Sequence, residues 1–130
     1  MDLSTFTPLT WIGAALALVL ALGIIAIGLW YLLAPATASA GFGFTTAITP
    51  EVTPWQHIKG PRDIASGLVV IAMLVGFGPT AAAVILLVES IVPIGDMANI
   101  LRHRGNRSAA FGVHGATAAA MILAAVLLFF

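Results

Sequence analysis

Thr80 to Gly105 reads TAAAVILLVESIVPIGDMANILRHRG. The run from Ala81 to Val88 is wholly apolar, yet Glu89 and Asp96 follow it before the first basic residue, Arg102. A membrane-crossing helix needs roughly 20 mostly apolar residues, and Thr80 to Leu101 supplies them. A charged side chain at the centre of such a helix costs about 2.5–3.5 kcal/mol on insertion scales and faces the bundle interior. This stretch therefore predicts a membrane helix that turns two carboxylates inward, and the rest of the chain must build the bundle around them.

The composition agrees. Of 130 residues, 61% are hydrophobic and 8% charged, where soluble domains carry about 25% charged residues. The length suits one domain, spanning 1–130. Net charge is zero, so nothing draws the chain as a whole to nucleic acid, and the absence of cysteine excludes disulfides, thiolate metal sites and cysteine nucleophiles.

Three further segments qualify as spans, giving an all-α bundle of four transmembrane helices over about 9–33, 58–77, 80–101 and 108–130. The first carries no charge, ends before Pro35, and has Trp11 at one end and Trp30 and Tyr31 at the other, in the manner of an aromatic belt. The second starts near Ile58 or Asp63, so Arg62 and Asp63 enter its first turn, and GFGPT (Gly76 to Thr80) breaks it. The fourth contains His114.

The five basic residues, Lys59, Arg62, Arg102, Arg104 and Arg107, all fall in or beside the first and third connections. The positive-inside rule then places those connections in the cytosol and both chain ends outside. PATASAGF (Pro35 to Phe42) has small residues spaced like a signal-peptidase site. However, the first residues hold Asp2 and no basic residue, and the apolar run exceeds the usual 7–15 residues of a signal peptide. The connection from Ala34 to Gly60 reads as a long interfacial loop. Its Phe42, Phe44, Ile48 and Trp55 suit the headgroup region, and loops of this length are often functional.

Glu89 and Asp96 stand two helical turns apart on nearly one face, about 10 Å in depth at 1.5 Å per residue. Pro93 between them frees a backbone carbonyl and opens room for a kink. Arg62 and Asp63 enter the second helix, and His114 the fourth, from the same side. Arg62, Asp63, Asp96 and His114 are thus expected to meet in one layer, with Glu89 deeper. Small residues beside them (Ser66, Gly67, Gly95, Gly112, Gly115) let helices approach closely.

Each group has a plainer role. Arg62 and Asp96 suffice for a structural ion pair, Asp63 for stabilising a helix N-terminus, and His114 for a hydrogen bond between helices. His57 and His103 suit the interface, and Arg102, Arg104 and Arg107 suit anchoring to anionic headgroups. GFGF (Gly41 to Phe44) lacks the strand–helix setting and the lysine of a phosphate loop. No metal-binding histidine spacing occurs, and nothing marks Ser66 as a nucleophile beside His114 and Asp96.

Pro35 with GFG at Gly41 to Gly43, KGPRDIASG from Lys59 to Gly67, Asp96 late in the third helix and His114 in the fourth form a pattern. With it, most of the chain resembles the small four-helix membrane family catalogued as domain of unknown function 4267, and more distantly the DoxX-like group. The resemblance implies a four-helix membrane bundle and little chemistry. Small membrane proteins of this size that act as cyclases or isomerases offer only an analogy at the level of fold.

The residues support three readings. The first is a membrane enzyme without cofactor or metal, acting on a lipophilic small molecule that enters from the bilayer, by isomerisation, cyclisation or epoxide opening. Asp63, Glu89 and Asp96 serve there as acids or bases, Arg62 holds a carboxylate ionised, and His114 relays the proton. Phe42, Phe44, Trp55 and Ser66 are the expected substrate contacts. The second is an accessory or binding subunit with a structural polar layer. The third is proton or ion movement, which the apolar outer half disfavours. Membrane lipids and a lipophilic substrate are the expected partners, nucleic acid is not, and a homo-oligomer stays open.

Overall fold

A computed structural model describes residues 4, 6–44 and 47–130; Asp2 lies outside them. Helix α1, Pro8–Leu33, starts where its ends are satisfied locally. The Thr7 hydroxyl accepts from the Thr10 amide at 3.1 Å, and the Thr10 hydroxyl accepts from the Thr7 amide at 3.1 Å. Pro8 occupies the first turn, where no amide donor is needed. A short helix α2, Pro35–Ala40, follows directly. Then come α3, Thr53–Phe77, α4, Pro79–Glu89, and α5, Ile91–Arg102. The last span is a short helical turn α6, Arg107–Ala109, a π-helical turn over Ala110–Gly115, and α7, Ala116–Leu128.

Four helical stretches are long and apolar enough to cross a membrane: Pro8–Leu33, Thr53–Phe77, Pro79–Arg102 and Arg107–Leu128. The chain is an all-α, multi-pass membrane protein. The connection expected over Ala34 to Gly60 is shorter than the breakers in its sequence suggest, because α2 takes its start and the first turns of α3 take its end. Pro54 stands in the first turn of α3, where proline is tolerated, and Pro61 lies inside the helix. Ahead of α3, the Thr49 hydroxyl donates to Glu51 at 2.6 Å and holds that exposed carboxyl below the usual carboxylate range.

Pro93 acts one turn before itself. It offers no amide to the carbonyl of Glu89, four residues back, and its ring crowds that carbonyl. The span breaks there, between α4 and α5, at Ser90, whose hydroxyl donates to the Leu87 carbonyl at 2.7 Å.

Helices α1 and α3 approach at backbone distance. A Cβ on Gly67 would lie 2.5 Å from the Ala21 carbonyl oxygen, and one on Gly28 would lie 2.6 Å from that of Gly60. In lipid, where helices gain nothing from excluding water, such close van der Waals packing holds them together. Helix α7 closes on α1 near Gly13 in the same way. The resulting core is made of small side chains (Ala14, Ala17, Ala21, Ala82, Ala83, Ala124, Ala125) around Val70, Leu74, Leu86, Met121 and Leu128. It fills the end of the bundle that holds the α3–α4 turn.

The opposite end, where the first and third connections lie, is hollow. Beyond the break at Ser90, α5 packs on the π turn, α7 and α6. Among the described residues, none of its α-carbons comes within 8 Å of one in α1 or α3.

Candidate functional site

The gap left by α5 is a cavity of about 550 Å³ between α1 and α3 on one side and α5 and the π turn on the other. That volume falls within the roughly 300–1,000 Å³ of small-molecule pockets. Leu20, Ile24, Val70, Leu86 and Met121 give its deeper wall an apolar character. Polar groups reach it from all four spans at its loop end, and from mid-span.

Asp63 is only 7% exposed. The Lys59 ammonium, one turn earlier on α3, donates to both its carboxylate oxygens, at 2.9 and 2.7 Å. The same ammonium lies 4.8 Å from the centre of the Tyr31 ring, which favours the cation through its π face. Tyr31 is 2% exposed and lines the cavity from α1.

Across the cavity, His114 Nδ1 stands 3.4 Å from Asp96 Oδ2. His114 belongs to the π-helical turn, which widens the helix by one residue per turn; such turns are rare and occur often at functional sites. His114 lines the cavity while the neighbouring Phe111 lies exposed. Deeper, Ser66 of α3 and Glu89 at the end of α4 both line the cavity.

The GFGF segment closes the loop end. The Asn106 amide donates to the Phe42 carbonyl at 2.9 Å. Gly43 has φ of +69°, and a Cβ there would lie 2.7 Å from Asn106 Cβ. This seat holds the Phe42 ring stacked on His114, with centroids 5.2 Å apart and planes 22° apart. Phe44 stacks on Phe42 at 5.8 Å, and His103 meets Phe44 edge-on at 6.4 Å.

The profile of the family described as Domain of unknown function (DUF4267) matches residues 21–128, more than half of the chain. The chain belongs to this family. The matched part of this DUF4267 chain holds every cavity-lining residue named above except Leu20. No curated protein and no solved structure matches it.

Six of the nine residues singled out from sequence line a single cavity of this DUF4267 protein together: Asp63, Glu89, Asp96, His114, Phe42 and Ser66. Arg62 does not join them. It is exposed, because a helix advances about 100° per residue and Asp63 takes the inward direction. The expected Arg62 ion pair is therefore replaced by Lys59 with Asp63. Trp55, 70% exposed in the first turn of α3, lines no part of the cavity. Phe44 is kept out of it by Phe42 and borders an outer cavity instead.

Lys59 and Tyr31 were not singled out as site residues. For Lys59 the signal was present, since four residues separate it from Asp63 and i, i+4 is the ion-pair spacing of a helix. A helix starting near Ile58 or Asp63 puts Lys59 at or before its first turn, where it reads as a loop charge. Among the described residues, no three His, Asp or Glu side chains gather closely enough to hold a metal ion.

Proposed function

We propose that the chain is a small integral membrane enzyme that moves protons on a lipophilic small molecule, by isomerisation, cyclisation or epoxide opening. The observation that carries this reading is one apolar-walled cavity with carboxylates at two separate stations, Asp96 beside His114 near the loop end and Glu89 deeper in. A half-buried pair of stations suits a reaction in which a proton enters at one carbon or oxygen and leaves from another carbon. Protonated Glu89 donates to an alkene or epoxide, the electron pair of that bond or a C–O bond shifts, and the Asp96–His114 pair accepts the proton released. Lys59 and Asp63 satisfy one another, so they hold the wall in place.

The substrate enters from the lipid, and membrane lipids are its surroundings. The basic residues at the hollow end support an orientation with that end in the cytosol and both chain ends outside. The reading of a non-enzymatic accessory subunit draws support from the Lys59–Asp63 pair, which is complete without any ligand.

The test is deuterium incorporation. Membranes carrying the wild-type chain, Glu89→Gln or Asp96→Asn are incubated in D2O, and their lipophilic extracts are compared by mass spectrometry. The enzyme reading expects a product made with wild type and with neither variant, both variants remaining folded in detergent; it carries one carbon-bound deuterium where the proton enters at an alkene carbon, and none where it enters at an epoxide oxygen. Identical extracts from all three, or two variants that fail to fold, would favour the structural role.

A further inference from the structure

The hollow end of the bundle holds more than the chamber described above. A second cavity, of about 870 Å³, lies nearer the loops, between the first connection and the last turns of α5. Its wall is of another kind: Gln56, Asn99, His103 and Arg104 line it, and they offer hydrogen-bond donors. Phe42, Lys59 and Asp96 line both cavities. These three side chains are the partition between an apolar chamber and a polar vestibule.

The three are held differently. Lys59 is bound by Asp63 at two oxygens, and Asp96 faces His114 from within α5. Phe42 rides on the connection outside every helix, and ring stacking on His114 and Phe44 keeps its side chain in place. A stacked pair of rings is worth only about 0.5–1.5 kcal/mol beyond its buried area. Phe42 is the member of the partition that turns aside at least cost.

We propose that chamber and vestibule form one tract for an amphipathic ligand, its apolar chain in the chamber and its polar head in the vestibule, with the Phe42 ring as the door between them. This deepens the acid–base reading by naming the substrate class as a chain with a polar, acceptor-bearing head. The head fixes the register of the chain against the two proton-moving stations. A ligand entering from the bilayer passes the half-exposed Trp30 and Val92, and its head reaches the vestibule once Phe42 has moved.

The absence of cysteine in the chain makes the test direct. Asn99→Cys marks the vestibule and Ser66→Cys the chamber, each in the full chain in proteoliposomes. A charged, membrane-impermeant methanethiosulfonate is applied from the loop side. If the open door is a minor state of 10% or less, the chamber thiol reacts about tenfold or more slowly than the vestibule thiol. Adding Phe42→Ala should bring the chamber thiol to within about threefold of the vestibule thiol, since the barrier left is then under 1 kcal/mol. Equal rates with Phe42 present, or a chamber thiol still slow in Phe42→Ala, overturn the door. Phe42→Leu, which keeps apolar bulk but not the stack, takes its place should the alanine variant not fold.

The tract is tested with dodecylphosphocholine as probe and permeant N-phenylmaleimide as label. Protection of both thiols by the amphiphile, and of neither by phosphocholine alone, is expected. Protection of one thiol only, or of none, overturns the tract. None of these readouts involves turnover, so a failed door or tract leaves the deuterium test of the acid–base reading standing.

Discussion

The Lys59 ammonium grips both carboxylate oxygens of Asp63, one turn apart on the inner face of α3. Removing one partner of a buried pair strands the other, at roughly 3–5 kcal/mol when both are fully buried. Lys59 is partly exposed, so the expected loss in Lys59→Met is smaller, about 2 kcal/mol. Arg62→Gln, three residues on and exposed, should change stability by less than about 0.5 kcal/mol. Unfolding in mixed micelles measures both. An Arg62 effect equal to that of Lys59 would mean that the arginine, and not the lysine, holds Asp63.

The seam between α1 and α3 predicts a contrast between two glycines. Gly67→Ala would put a methyl 2.5 Å from the Ala21 carbonyl oxygen and 2.6 Å from the Ile25 side chain, both on α1. The helices must part, and overpacking of this kind costs about 1–3 kcal/mol. Gly23→Ala meets nothing within 4 Å and lies inside α1, so it should stabilise by about 0.5–1 kcal/mol through helix propensity. Equal thermal shifts for the two would show that backbone contact does not hold this seam.

The spans and the inward carboxylates are legible in single residues that violate an apolar background. Glu89, Asp96 and His114 stand out for that reason, and the cost of a charge in lipid fixes which way they face. Other features depended on information not local to any residue. Whether Arg62 or Asp63 faces inward turns on a rotation of about 100°, which a helix start misplaced by one turn cannot resolve. The prolines at 54 and 61 signal a loop, yet α3 runs through both. The π turn around His114 leaves no mark in composition, because AFGVHG would serve equally in an ordinary helix. GFGF was read as interfacial aromatics, and its seat on Asn106 joins two connections more than 60 residues apart.

The turn between α3 and α4 rests on one residue. Gly78 has φ of +90° and ψ of −179°, a region essentially closed to residues with a side chain. No atom lies within 4 Å of the place a Cβ would take, so Gly78→Ala introduces backbone strain without a clash. The expected loss is about 1–3 kcal/mol. Gly76→Ala, equally open but helical, is the control and should be neutral or slightly stabilising. Thermal unfolding of the two variants side by side decides whether the turn or the space around it sets the cost.

Gly43 predicts an effect at a distance. Its φ of +69° would cost a residue with a side chain about 1–2 kcal/mol, and its added methyl would meet Asn106 at 2.7 Å. Gly43→Ala must therefore shift the connection away from Asn106, and Phe42, the preceding residue, moves with it. The Phe42 ring then leaves the face of His114, so the imidazole loses a ring current. In detergent, the His114 side-chain resonances should move in Gly43→Ala while those of His57 stay in place. Gly41→Ala is the matched control, because Gly41 has ordinary right-handed geometry and open space around it. If the His114 resonances stay fixed in Gly43→Ala although stability falls, then Phe42 is not held on the histidine through this glycine. The stack would then be set by the rings themselves.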